Sequence, residues 1–78
     1  MAGLSAERRA WMLIIVGRAH AQRRQVADAV AALQQAAEIF PGQVRSHPLA
    51  RQVVADLLAM QNPPSAALVA LSVRVAAP

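Results

Sequence analysis

Apolar residues recur at spacings of three and four between Val26 and Phe40, which is the clearest hydrophobic pattern in the chain. This spacing places them on one face of an α-helix, with the intervening polar residues in water. The apolar positions of this predicted second helix are Val26, Ala29, Val30, Leu33, Ala36, Ala37 and Phe40. Pro41-Gly42 ends the helix, because proline lacks an N–H donor and disfavours helix at the residue before it.

A first helix is predicted from Ser5, which can cap it, to about Gln22. Met1–Ser5 forms a loose arm before it, and the polar Gln22–Gln25 forms the turn after it. Within the helix, Ala10–Gly17 is uncharged and apolar on every side, which indicates contacts on more than one face. Because an isolated helix of this length is marginal in water, the second helix must pack its apolar face on the first.

A third helix is predicted after a connector at Pro41–His47. It starts at Pro48, whose fixed φ suits the first helical position, and Ser46 or His47 caps it. Its apolar stripe consists of Leu49, Val53, Val54, Leu57, Leu58 and Met60. Asn62-Pro63-Pro64 then breaks the chain.

The last segment, Ser65–Pro78, carries two competing patterns. Leu68, Leu71 and Val75 have helical spacing, whereas Val69, Leu71, Val73 and Val75 alternate as in a strand. We predict a helix here, because a lone strand in a helical chain has no partner for its backbone hydrogen bonds.

Composition limits the chain to one small domain of 78 residues, whose 56% apolar content excludes intrinsic disorder. The absence of cysteine excludes disulfides and thiolate metal sites. A membrane span needs about 20 apolar residues, and only the eight of Ala10–Gly17 are contiguous. Two histidines with four scattered acids form no metal site, and no nucleophile stands beside a base. We therefore expect no enzyme activity and no cofactor.

Eight arginines and no lysine stand against Glu7, Asp28, Glu38 and Asp56, giving a net charge of +4. That balance is compatible with an ordinary solvated surface, an acidic partner or nucleic acid. Arginines flank helix one at Arg8-Arg9 and at Arg18, Arg23 and Arg24, so direct nucleic-acid binding is the alternative function. Weak binding to anionic lipid is a lesser alternative, and the prediction is for no membrane association.

The N-terminal third also imitates a signal peptide: a charged Arg8-Arg9 head, a short apolar centre and Ala19-His20-Ala21 as a cleavage site. The apolar centre is at the short limit and Arg18 interrupts the approach to the cleavage site. We predict a cytoplasmic protein, with export and cleavage after Ala21 as the alternative.

Trp11–Pro41 resembles a tetratricopeptide repeat, a helix–turn–helix unit of about 34 residues. The matching positions are Gly17, Ala29, Leu33, Ala36 and Pro41. Small side chains at Gly17, Ala29 and Ala36 let two helices approach closely. The departures are Arg24 in place of the usual turn glycine, His20 in place of an aromatic, and Leu13 in the usual Trp position.

The order of later segments extends the likeness over roughly positions 12 to 75. Val44-Arg45-Ser46-His47-Pro48-Leu49 followed by Val53–Leu58 resembles the C-terminal helical region of actinobacterial helix-turn-helix transcriptional regulators of the xenobiotic-response-element (XRE) type. The resemblance implies a sensing or protein-interaction domain. About ten residues precede the repeat and contain no helix-turn-helix head, so direct DNA binding is not carried over.

In the tetratricopeptide fold the first helix of each unit lines a groove for a peptide or small-molecule effector. The resemblance places Trp11, Ile14, Arg18, Ala21 and Gln22 in this partner-binding role. The competing interpretation, which we favour, is that Trp11 belongs to the protein's own core or to a self-association surface. Since stacked repeats need neighbours to cover their apolar faces, we predict a homodimer or larger assembly through Trp11–Ile15.

The combined prediction is an all-α, four-helix, TPR-like domain spanning 1–78. It consists of an antiparallel helix hairpin at 6–41 and a second helical pair at 47–77. Its function would be a non-enzymatic protein-interaction or sensing module related to transcription regulation.

Overall fold

The computed structural model describes residues 5–76, and within that range every regular element is a helix. The helices are α1 (Ala6–Gln22), α2 (Val26–Ile39), α3 (Pro41–Ser46), α4 (Pro48–Met60) and α5 (Ala66–Ala76). The all-α fold class is confirmed. The number of helices is five rather than four. The predicted arm at residues 1–4 and the last predicted helical position, residue 77, lie outside the described residues.

Three helices begin at residues whose side chains cap the first turn. The Arg8 N–H donates to Ser5 Oγ at 3.2 Å, and the Leu68 N–H donates to Ser65 Oγ at 3.2 Å. The Leu49 N–H donates to His47 Nδ1 at 3.2 Å, which selects His47 over Ser46 as the cap of α4. Each bond satisfies a backbone donor that has no partner within the helix.

The predicted connector at Pro41–His47 is wrong, because Pro41–Ser46 forms the short helix α3. Pro41 ends α2 at Ile39, as expected, and also occupies the first position of the new helix, where a missing N–H costs nothing. Phe40, with φ −151°, is the single residue between the two helices. It therefore lies outside the apolar face of α2 to which the periodicity assigned it, and its side chain is 38% exposed.

α1 and α2 form an antiparallel hairpin with the most extensive helix–helix contact in the structure. Leu13 lies near Ile39, Gly17 lies against Leu33, and His20 lies beside Gln25. A β-carbon added to Gly17 would come within 3.1 Å of Leu33 Cγ and 3.5 Å of the Ala29 carbonyl oxygen. The helices are therefore close enough at this crossing that a larger residue would displace Leu33.

The core is one continuous cluster to which all five helices contribute. α4 packs against α1, and α5 packs against α4, α2 and α3. Its buried members are Ala10, Ile14, Ala21, Ala29, Val30, Leu33, Ala36, Ala37, Val44, Ala50, Val53, Val54, Leu57, Leu68, Leu71 and Val75. No described residue in this cluster is polar, so the cluster is held together by apolar packing. Outside it, the Gln34 side-chain amide of α2 donates to the Ala67 carbonyl of α5 at 3.4 Å.

Candidate interaction surface

The solvent-facing side of α1 carries four large apolar side chains, which we call the α1 patch: Trp11, Met12, Ile15 and Val16. They are exposed by 47%, 46%, 37% and 43%, respectively. Trp11 and Ile15 are four residues apart, as are Met12 and Val16, so the patch forms two adjoining rows along the helix. Exposed apolar side chains that adjoin one another are typical of an interaction site.

The α1 patch is flanked by two shallow hollows. On one side, α1 and α2 enclose about 320 Å³, lined by Arg9, Met12, Leu13, Val16, Gln35 and Ile39. On the other side, a hollow of about 430 Å³ is lined by Ser5, Glu7, Arg8, Trp11 and Gln43. Gln43 Oε1 is buried without a hydrogen-bond partner. The patch is thus an apolar ridge between two partly polar depressions.

The five residues that the resemblance assigned to partner binding do not form one groove. Ile14 is fully buried and Ala21 is 4% exposed, so both side chains belong to the core. Arg18, Ala21 and Gln22 line a separate depression of about 290 Å³ against α4, next to Asp56. Trp11 lies at the other end of the helix, in the hollow with Gln43. Met12 and Val16, which are not among these five residues, join Trp11 on the exposed side. Met12 lies within the Trp11–Ile15 surface predicted for self-association, and Val16 is the residue after it.

Four of the five residues at the repeat positions are buried on the α1–α2 hairpin, and Pro41 is the exception. Ala29, Leu33 and Ala36 are each fully buried, and Gly17 lies against Leu33. Pro41 is exposed at the start of α3. The close approach of Gly17 to Leu33 and Ala29 fixes α1, and with it the α1 patch, against α2.

Positive charge is concentrated around this helix. Arg8, Arg9 and Arg18 lie on α1, Arg23 and Arg24 lie in the turn that ends it, and all five are exposed. The one acid on α1 is Glu7, so α1 and its turn carry a net charge of +4. That is the net charge of the whole chain, because the other three arginines are balanced by three acids.

A second apolar surface lies between α4 and α5. The groove encloses about 550 Å³ and is lined by Arg51, Val54, Ala55, Leu58, Ser72, Val73, Val75 and Ala76. Leu58 and Val73 are 37% and 64% exposed there. The alternating apolar residues of the last segment contained part of this information, because a helix that buries Leu71 and Val75 leaves Val73 exposed at the groove.

The hydroxyl groups of the four serines are all engaged with the backbone. Ser5 and Ser65 cap helices, the Ser46 hydroxyl donates to the Gly42 carbonyl at 2.9 Å, and Ser72 donates to the Val69 carbonyl at 2.7 Å. The His20 ring N–H donates from Nδ1 to Gln25 Oε1 at 2.8 Å. Residues 5–76 contain no group of three or more His, Cys, Asp or Glu that could hold a metal ion. The surface offers apolar contact and guanidinium groups to a partner.

The fold and this surface define a small all-α protein with an apolar, positively flanked helix on its outside. Comparison of the chain with models of protein families, with curated proteins and with solved structures gives no match. The resemblances to tetratricopeptide repeats and to XRE-type regulators therefore stay predictions from the residues quoted above. Among the helices of residues 5–76, none is long and apolar enough to cross a bilayer.

Proposed function

We propose that this chain is a non-enzymatic protein-interaction module that docks another protein on the α1 patch. The observation that carries the proposal is the exposure of Trp11, Met12, Ile15 and Val16 on a helix whose opposite face is fixed in the core. Trp and Arg are the residue types most enriched at the energetic centres of protein interfaces, and both occur here. The XRE-type resemblance supports a role beside transcriptional regulators, as a sensing or docking domain.

A photo-crosslinking amino acid at Ile15, in cells that express the protein, tests the docking surface. We expect a defined crosslinked product that disappears in the Met12→Gln/Val16→Gln variant. The matched control carries Val69→Gln/Val73→Gln, which removes two exposed valines on α5. Loss of the product in the control variant alone would place the docking surface elsewhere.

The alternative function is direct binding of nucleic acid, favoured by the five exposed arginines around α1. Anisotropy titrations with double- and single-stranded oligonucleotides at two salt concentrations test it. Nucleic-acid binding through these arginines would weaken steeply with salt, because binding releases counterions. It would also be insensitive to Met12→Gln/Val16→Gln.

We further propose that the module stays in the cytoplasm with α1 intact. Cleavage after Ala21 would remove Ala10, Ile14, Gly17 and Ala21 from the core, and the remaining helices would expose Leu33. Mass spectrometry of the native protein tests this. A mature chain that begins at Gln22 would contradict both the location and the docking surface.

A further inference from the structure

The charge around the α1 patch indicates the chemistry of its partner. Every unit of the net +4 charge lies on α1 or in its C-terminal turn, and the patch lies between two groups of arginines. Arg8 and Arg9 precede the patch by about one turn, while Arg18, Arg23 and Arg24 follow it. A partner that covers the apolar rows must therefore also face guanidinium groups at both ends.

We infer that the α1 patch receives an amphipathic α-helix of a different protein, whose central apolar stripe has Asp or Glu side chains at each end. This inference rests on the proposed docking function. From Arg9 to Arg23 the distance along the helix axis is about 20 Å, at a rise of roughly 1.5 Å per residue. A partner helix of four to five turns spans it, and acids at both ends suit either orientation of that helix.

The two hollows beside the ridge supply further contacts for such a helix. Arg9 lines the hollow that contains Met12 and Val16, and Arg8 lines the hollow that contains Trp11. A carboxylate of the partner could thus reach an arginine while its apolar neighbours cover the patch. Arginine suits this task because its planar guanidinium binds a carboxylate through two parallel hydrogen bonds.

Self-association through the same patch has the opposite electrostatics. A twofold-symmetric dimer sets one surface against its own copy, which would bring together two copies of α1 and its turn, each with a net charge of +4. Like charges facing each other across an interface are strongly unfavourable. Phosphate backbones are a poorer match as well, because the apolar rows of Met12, Ile15 and Val16 interrupt the arginines.

The test uses the full chain and two synthetic helical peptides of roughly 18 residues, long enough to span the arginine groups. Both peptides carry the same central leucine stripe. One has glutamates in its first and last turns, and the other has lysines there. Trp11 is the one tryptophan of the chain, so a blue shift of its emission reports burial of the patch. Anisotropy of the labelled peptides gives the affinities.

We expect the glutamate peptide to bind, with a blue shift of Trp11 emission and weaker binding at higher salt, and the lysine peptide to stay unbound. In the charge variant, Arg8→Glu/Arg18→Glu, affinity for the glutamate peptide should fall by about tenfold or more. The same variant should gain affinity for the lysine peptide. Arg51→Glu/Arg74→Glu changes the net charge equally on α4 and α5, and should leave both affinities within about twofold. Circular dichroism of each variant checks that the helices are retained.

The remaining outcomes separate this inference from the proposed function. If both peptides bind equally and only Met12→Gln/Val16→Gln weakens them, the docking surface stands and the acidic partner is wrong. A dimer in sedimentation velocity that the same double variant converts to monomer would establish self-association instead. Binding to vesicles of anionic lipid, with neither peptide bound, would overturn the inference in favour of a membrane surface. If no association depends on the patch, the proposed function fails with it.

Discussion

Arg24 adopts a left-handed backbone conformation, with φ 60°, in the turn between α1 and α2. The Gln25 N–H donates to the His20 carbonyl at 2.9 Å, and the Arg24 N–H donates to the Ala21 carbonyl at 3.0 Å. This pair of bonds is the Schellman motif, which ends helices and normally has glycine at the left-handed position. The side-chain bond between His20 and Gln25 closes the same turn. The departure from the repeat pattern at Arg24 thus coincides with the one described residue that has a positive φ.

Arg24→Gly is expected to raise the free energy of unfolding by about 1 kcal/mol, because glycine has no β-carbon to clash in the left-handed region. Arg23→Gly is the matched control, since it removes the same charge at φ −93°. There, glycine only adds freedom to the unfolded chain, and stability should fall by about 0.5–1 kcal/mol. Urea unfolding followed by circular dichroism measures both. Equal effects of the two substitutions would contradict the left-handed turn.

Ile14 and Ile15 are chemically identical neighbours with opposite surroundings. Ile14 is fully buried, whereas Ile15 is 37% exposed in the α1 patch. Ile14→Ala should therefore lower the free energy of unfolding by about 2–5 kcal/mol through loss of buried area and a cavity. Ile15→Ala should cost less than about 1 kcal/mol. Thermal and urea unfolding give the comparison; a reversed order would mean that the patch, and not Ile14, faces the core.

At the scale of elements, the α1–α2 hairpin depends on the close approach at Gly17. Gly17→Val should destabilise the protein by about 1–3 kcal/mol, because the added carbons meet the buried Leu33. Ala19→Val places the same β-branched residue on the exposed side of the same helix, where only a small propensity cost of roughly 0.5 kcal/mol applies. Chemical denaturation of the two variants measures the difference. Similar losses in both would show that the helices are not tightly packed at Gly17.

The start of α5 depends on the hydroxyl of Ser65. Ser65→Ala removes the acceptor of the Leu68 N–H and should cost about 1 kcal/mol. Ser72→Ala removes a hydroxyl that bonds back to the Val69 carbonyl inside the same helix, where alanine has the better helix propensity. Its effect should be close to zero or slightly stabilising. Hydrogen exchange of the α5 amides shows whether the loss at Ser65 is confined to this helix.

The helices that the sequence predicted correctly are those that begin or end at a capping residue or a proline. Ser5 and Ser65 cap helices, and Pro48 stands at the first position of α4. The sequence pattern does not reveal α3, because Pro41 predicts the end of α2 although a proline also suits the first position of a helix. A helix of six residues is too short for a periodic spacing of apolar residues to reveal it. Only Val44 is buried in it.

The candidate site was predictable only in part, because burial on an all-apolar helix depends on where the other helices pack. Between Ala10 and Gly17 nothing in the sequence distinguishes Ile14, which is buried, from Ile15, which is not. The repeat pattern predicts Ile14 and Ala21 in a groove, whereas both are buried in the core. The arginine clusters were visible in the sequence, but their relation to exposed apolar residues required the structure.

At the scale of the whole molecule, charge and apolar exposure are distributed unevenly. The net positive charge surrounds the α1 patch, whereas the groove between α4 and α5 contains a single charged side chain, Arg51. The two apolar surfaces therefore differ electrostatically, although each exposes valine or leucine. Changes of salt should act mainly on contacts made by α1, because exposed charges are screened within about 10 Å at moderate ionic strength.

The joints between helices differ in length. One residue, Phe40, separates α2 from α3, and one residue, His47, separates α3 from α4, whereas five residues, Gln61–Ser65, separate α4 from α5. A joint of one residue fixes how α3 is placed against α2 and α4, so an insertion there would reorient α3 and its buried Val44. The longer tether is exposed at Asn62–Ser65 and can absorb added chain at a small entropic cost. A reporter or an affinity tag inserted between Pro63 and Pro64 would leave the joints at Phe40 and His47 unchanged. The exposed side of α1 would also stay accessible.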